Sequence, residues 1–97
     1  MSTVVLLEIK AKPEKLAELK AYIKEFLPDT RAYQGCHGVD VYGGMDDASD
    51  IVLYERWESR KHYETYLAWR VETGVVAKLG DFSTAPPSLR YFEAVDA

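Results

Sequence analysis

Between Leu53 and Arg70 the hydrophobic period changes from two to about 3.6, so a strand must run directly into an amphipathic helix. Leu53, Glu55 and Trp57 alternate with Val52, Tyr54 and Arg56, giving a strand with two different faces. Ser59 then offers its hydroxyl as a helix N-cap. With Tyr63 at the origin of a wheel turning about 100 degrees per residue, Leu67 falls about 40 degrees to one side and Tyr66 about 60 to the other. Arg70 lands between them, near the centre of the apolar arc. An arginine there buries its stem and needs a partner for its head. The sequence leaves two partners open: a buried carboxylate or a polar ligand.

The rest of the chain supplies the elements around this core. Thr3 to Lys10 reads as a strand with Val5, Leu7 and Ile9 on one face and Val4, Leu6 and Glu8 on the other. Both faces are mostly apolar, so both call for cover. Pro13 suits the first turn of a helix, and Leu16, Leu19, Ile23, Phe26 and Leu27 make its apolar stripe. Pro28 is expected to stop it. Gly35 to Tyr42 is a second strand, weakened by its glycines. Ile51 to Trp57 is the third strand, joined to the second by a polar hairpin loop. The second helix runs from about Arg60 to Glu72, Gly74 serves as its stop, and Val75 to Leu79 adds a short helical turn. Ser88 to Glu93 is the last strand.

The order β-α-β-β-α-β is that of a ferredoxin-like α+β fold, with a four-stranded antiparallel sheet covered on one face by helices. The 97 residues make a single domain, 1–97, with a thin core of its own. The second sheet face still needs covering, which predicts sheet-to-sheet pairing into a homodimer.

Composition narrows the function further. Apolar and aromatic residues make up 47% of the chain, which argues against disorder. The net charge of −4 and the lack of a basic stripe argue against nucleic acid as a partner. The longest aliphatic run, Val4 to Leu7, is far too short for a bilayer, so no membrane association is expected. The start MSTVV has no basic-then-apolar signal, and the one cysteine, Cys36, fits a reducing cytoplasm. Cys36 and His37 have no further ligands at metal-binding spacing, and no phosphate loop or nucleophile elbow is present.

The element order, the ERWES strand-to-helix junction and the terminal RYFE strand resemble the antibiotic biosynthesis monooxygenase domain family over essentially the whole chain. The resemblance implies a dimeric α+β barrel with a pocket between sheet and helices in each subunit. It implies oxidation of a phenol, hydroquinone or anthrone by dioxygen with no cofactor, neither flavin nor metal. Trp57 matches the aromatic residue that ends strand three and lines the pocket in several members. The helix-two histidine of many members, about eleven residues after the strand-three glutamate, is Tyr66 here. The Asn and His of the haem-degrading branch have no counterparts.

On this reading the partners are a small aromatic substrate and dioxygen. Tyr66, Arg70 and His37 are the candidate catalytic residues; Trp57, Glu55, Tyr63 and Trp69 are the substrate-binding ones. Arg70 would neutralise a substrate anion or pair with Glu55, and would favour the phenolate of Tyr66 one turn away. Trp57 is a stacking wall or a core tryptophan, and Tyr66 a proton-handling group or a core tyrosine. His37 is a candidate proton acceptor, or sits on a strand at an interface. His62, in the first turn of helix two, is expected to be solvated. The alternatives to an oxygenase are a non-catalytic dimeric barrel holding a small apolar ligand, and an isomerase on the same scaffold.

Overall fold

The structure, a computed structural model, describes residues 2–97. The elements run β1 (Thr3–Lys10), a 3-10 turn (Pro13–Lys15), α1 (Leu16–Arg31), β2 (Cys36–Gly43), β3 (Asp50–Trp57), α2 (Arg60–Glu72), α3 (Val75–Asp81) and β4 (Ser88–Glu93). All strand pairs are antiparallel, in the order β2-β3-β1-β4. This is the ferredoxin-like arrangement expected from the sequence.

Register decides which side chains meet the helices. Val5 on β1 stands opposite Glu55 on β3 and Tyr91 on β4, and Val39 on β2 also stands opposite Glu55. Period-two alternation then sends Val5, Ile9, Val39, Ile51, Leu53, Glu55 and Trp57 to one face, and all are buried. Leu19, Ile23, Phe26 and Leu27 of α1 and Leu79 of α3 pack on the Ile9, Ile51 and Leu53 end. Tyr63 and Tyr66 of α2 pack on Val5 and Trp57. The opposite face carries Val4, Leu6, Val52 and Tyr54 half-buried, with Tyr42 and Phe92 exposed beside them.

Helix α1 departs from the sequence expectation at Pro28. It continues to Arg31 with Pro28 inside it. Pro28 removes the N–H that would bond the Lys24 carbonyl, but both residues are exposed, so water reaches that carbonyl. The turn beyond is held by the Ala32 N–H on the Pro28 carbonyl at 3.1 Å, by Arg31 donating to the Val39 carbonyl from Nη2 at 2.9 Å, and by burial of Thr30. Helix α2 begins as predicted, with the Ser59 hydroxyl accepting from the His62 N–H at 3.1 Å. It ends at Gly74, whose φ of 86° lies in the left-handed region that glycine tolerates best. That turn brings α3 back over the sheet.

Candidate functional site

Among the described residues, four polar ones are buried: Thr30, Glu55, Arg70 and Ser83. Three of them, Thr30, Glu55 and Arg70, line one internal cavity with Tyr63 and Tyr66. Leu7 and Leu53 form its sheet side, and Val75, Val76 and Leu79 of α3 its roof. Its volume is about 30 Å³, room for about one water-sized molecule. A larger concavity of about 550 Å³, lined by Tyr33, Gln34, Ser59, Lys61, His62 and Thr65, opens to solvent at the start of α2. Size favours the open groove, but its Ser59 and His62 are occupied in capping α2 and in a 3.2 Å contact from His62 Nε2 to Glu58. The internal cavity holds the buried polar groups, which are the ones a dry environment makes reactive.

Arg70 reaches the cavity from α2 as the helical wheel requires, and is 5% exposed. Its head does not meet the buried carboxylate considered from the sequence. No carboxylate of the described residues lies within ion-pair distance; the four ion pairs found are all elsewhere. Nε donates to the Tyr66 hydroxyl at 2.8 Å. Nη2 donates to the Phe26 carbonyl and to Thr30 Oγ1, each at 2.9 Å. The guanidinium also lies over the Trp69 ring, 4.4 Å from its centroid. Neutral oxygens from α1 therefore replace the expected Glu55. Nη1 has no acceptor among the described residues.

Glu55 is tied elsewhere because the register places it between Val5 and Val39, with Trp57 two residues along the same face. Its Oε1 accepts from the Trp57 indole N–H at 3.0 Å. Burial pushes the Glu55 carboxyl up to about 7, the indole hydrogen bond holding it partly back.

Tyr66 shares its hydroxyl with Thr30 Oγ1 at 2.6 Å. With the Thr30 proton on the Phe26 carbonyl, 3.5 Å away, the Tyr66 hydroxyl donates to Thr30 Oγ1. Burial raises the Tyr66 pKa more than Thr30 and Arg70 lower it. The phenolate that proximity to Arg70 suggested is thus disfavoured. Burial raises the Tyr63 hydroxyl strongly as well.

Of the sequence-predicted residues, the fold brings Glu55, Tyr63, Tyr66 and Arg70 together. Trp57 is fully buried behind them, its ring 4.9 Å from Tyr66 and 5.4 Å from Tyr63. Trp69 is partly buried and stacks on Tyr33 at 5.3 Å. His37 lies exposed on β2, at the bulge between Cys36 and Gly38, and does not line the cavity. His62 is half-buried and hydrogen-bonded rather than freely solvated. Thr30, Phe26 and the α3 roof were not singled out by sequence. Among the described residues no group of three His, Cys, Asp or Glu side chains could hold a metal ion, and no helix is long and apolar enough to cross a membrane.

Several known proteins share this architecture. Rv0793 of Mycobacterium tuberculosis is 25% identical over 92 residues, 95% of this chain and 90% of that protein. Its solved structure matches with a TM-score of 0.80, covering 100% of this chain and 98% of that one. A conserved protein from Methanosarcina mazei Go1 matches with a TM-score of 0.87 at 16% identity, covering 95% of this chain and 91% of that one. A monooxygenase from the gene ActVA-Orf6 of Streptomyces coelicolor, solved in complex with nanaomycin D, matches with a TM-score of 0.82 at 17% identity, covering 99% of this chain and 89% of that one. Residues 2–70 match the family described as antibiotic biosynthesis monooxygenase, and the chain belongs to that family.

Proposed function

We propose that this protein is a cofactor-independent monooxygenase that oxidises a phenol or hydroquinone with dioxygen. The observation that carries the reading is Arg70: a buried guanidinium, unpaired with any carboxylate, whose Nη1 edge has no acceptor among the described residues and which lines a mostly apolar cavity shared with Glu55. Such a group stabilises an anion formed in the cavity better than one already present in water, because the medium is dry and the donors are held in place. A phenolate fits that description. It is also the form of a phenol that reduces dioxygen directly. A phenol with a free ring position and one dioxygen give a quinone and water: one oxygen atom enters the ring, the other leaves as water with the two hydrogens removed.

Membership of the family and the small-molecule complex of the Streptomyces coelicolor relative support a ligand pocket on this fold. Phe26, Tyr63 and Tyr66 supply the aromatic walls around it, with Trp57 behind the two tyrosines. A phenol exceeds the cavity of about 30 Å³, so its entry requires the roof of Val75, Val76 and Leu79 to give way. A second copy covers the outer sheet face, and the free thiol of Cys36 suits a reducing cytoplasm.

An oxygen electrode tests the reading with a panel of hydroquinones, phenols and anthrones, before and after chelator treatment. Uptake that survives chelation is expected, with labelled dioxygen leaving label in the quinone. Arg70→Met should lower kcat/KM by about 30- to 1,000-fold, the loss of one anion-stabilising donor. Uptake no faster than autoxidation across the panel overturns the proposal. The small cavity favours one runner-up, a barrel that binds a small apolar ligand without turnover; ligand binding with no oxygen uptake is its signature.

A further inference from the structure

The phenol's proton needs an acceptor, and the groups nearest to hand do not serve. Tyr66 has its hydroxyl committed to Thr30 and Arg70. Tyr63 is held protonated by burial. His37 lies outside the cavity. We infer that Glu55 is the proton acceptor of this site, taking the hydroxyl proton of a phenol seated between its carboxylate and the Nη1 edge of Arg70. The inference rests on the reading of the cavity as a phenol site.

The geometry favours Glu55 in three ways. Trp57 anchors Oε1 at 3.0 Å, which fixes the carboxylate and leaves Oε2 with no donor among the described residues. Glu55 and Arg70 line the same cavity without forming an ion pair, and its volume of about 30 Å³ takes a group the size of one reacting oxygen. Apart from the Arg70 guanidinium, the groups facing Glu55 from the elements around it carry no formal charge. β1 and β2 present Val5 and Val39. β2 also brings the Cys36 thiol, raised first by burial and further by Glu55. Towards the cavity α1 presents Phe26 and Thr30, α2 Tyr63, Tyr66, Leu67 and Arg70, and α3 Val75, Val76 and Leu79.

The transfer conserves charge. The phenol O–H bond breaks, its electron pair stays on the phenol oxygen, and a new O–H bond forms on Glu55. The negative charge moves off a buried carboxylate and onto an oxygen beside the guanidinium. Burial already brings the Glu55 carboxyl to about 7, so it is a stronger base than an ordinary glutamate and still partly ionised near neutrality.

The test uses 3-nitrophenol, which turns yellow on ionisation, bound at a pH above the Glu55 value of about 7 and below the phenol's own higher pKa. Wild type should bind it as the yellow phenolate with no proton released to buffer, as counted by calorimetry in two buffers of different ionisation enthalpy. Glu55→Gln, which keeps an oxygen for the Trp57 indole, should bind it colourless or release a proton. Glu55→Asp, which keeps the carboxylate, should restore part of the colour. In turnover, Glu55→Gln should lose about 10²- to 10⁴-fold in kcat/KM on hydroquinone and little on a nitrohydroquinone already ionised in solution. Colour without proton release in Glu55→Gln overturns the inference, as do equal losses on both substrates or a wild type that binds only neutral nitrophenol. A wild type that shows the yellow complex but consumes no oxygen overturns the oxygenase reading and leaves Glu55 as the acceptor. A wild type that binds no phenol overturns both.

Discussion

At the scale of single residues, the site depends on two buried charges of opposite sign that do not touch. Glu55 has a consequence for stability that needs no substrate. Its carboxyl ionises near 4.5 in an ordinary setting and near 7 here. The folded state therefore holds a proton that the unfolded chain has released through this window, and stability falls as pH rises across it. The effect is at most about 3 kcal/mol. Thermal melts of wild type should show this decline between about pH 5 and pH 7, and Glu55→Gln should flatten it. A slope unchanged by Glu55→Gln would mean the carboxyl titrates normally. The inward position of Arg70 was legible from the helical wheel, and that of Glu55 from strand alternation. Their separation was not. The pairing of Arg70 with Thr30 joins residues 40 apart in sequence, and the tie between Glu55 and Trp57 depends on side-chain direction within one strand face. Thr30 continues the spacing of Ile23 and Phe26, but ending the helix at Pro28 hid it.

At the scale of elements, the strands and both long helices were legible because one face of each is buried and the period shows. Two features were not. The bulge between Cys36 and Gly38 answers to local backbone geometry rather than to a hydrophobic pattern. The last turn of α1 exists because tertiary contacts outweigh the proline. Thr30 in that turn carries the hydrogen bonds of Tyr66 and Arg70, so α1 must persist past Pro28 for the site to form. Replacing the exposed Pro28 should then strengthen α1 without disturbing the site. Pro28→Ala restores a donor for the Lys24 carbonyl and removes ring crowding, against the unfolded-state entropy that proline restricts. A gain of about 1–2 kcal/mol in denaturant unfolding is expected. A loss of that size would show that Pro28 fixes the path of the last turn rather than being tolerated within it.

At the scale of the whole molecule, the sheet has one face under helices and one without cover. Val4 and Leu6 on β1 stand opposite Arg56 and Tyr54 on β3, with Phe92 across from Val4 on β4. Val4, Leu6, Val52, Tyr54 and Phe92 form an apolar patch, with Arg56, Glu8 and Arg90 beside them on the same face. Its margins are charged: Arg56 reaches Asp40 at 3.5 Å, and both are exposed. Tyr42 is 57% and Phe92 43% exposed, far more than side chains of that size in a core. An apolar centre with a charged rim is the pattern of a protein interface, and a four-stranded face is large enough to approach the roughly 800 Å² per partner of a stable one. A second copy suits it because the same patch can meet itself about a two-fold axis. Sedimentation at sub-micromolar concentration should therefore give about twice the chain mass of 11.0 kDa. Leu6→Lys, at the centre of the patch and away from the cavity, should shift the protein to monomer and lower its thermal stability, since the exposed apolar strands lose their cover. A wild type that stays folded at 11.0 kDa, or a Leu6→Lys variant that sediments as wild type does, would rule out this face as the interface.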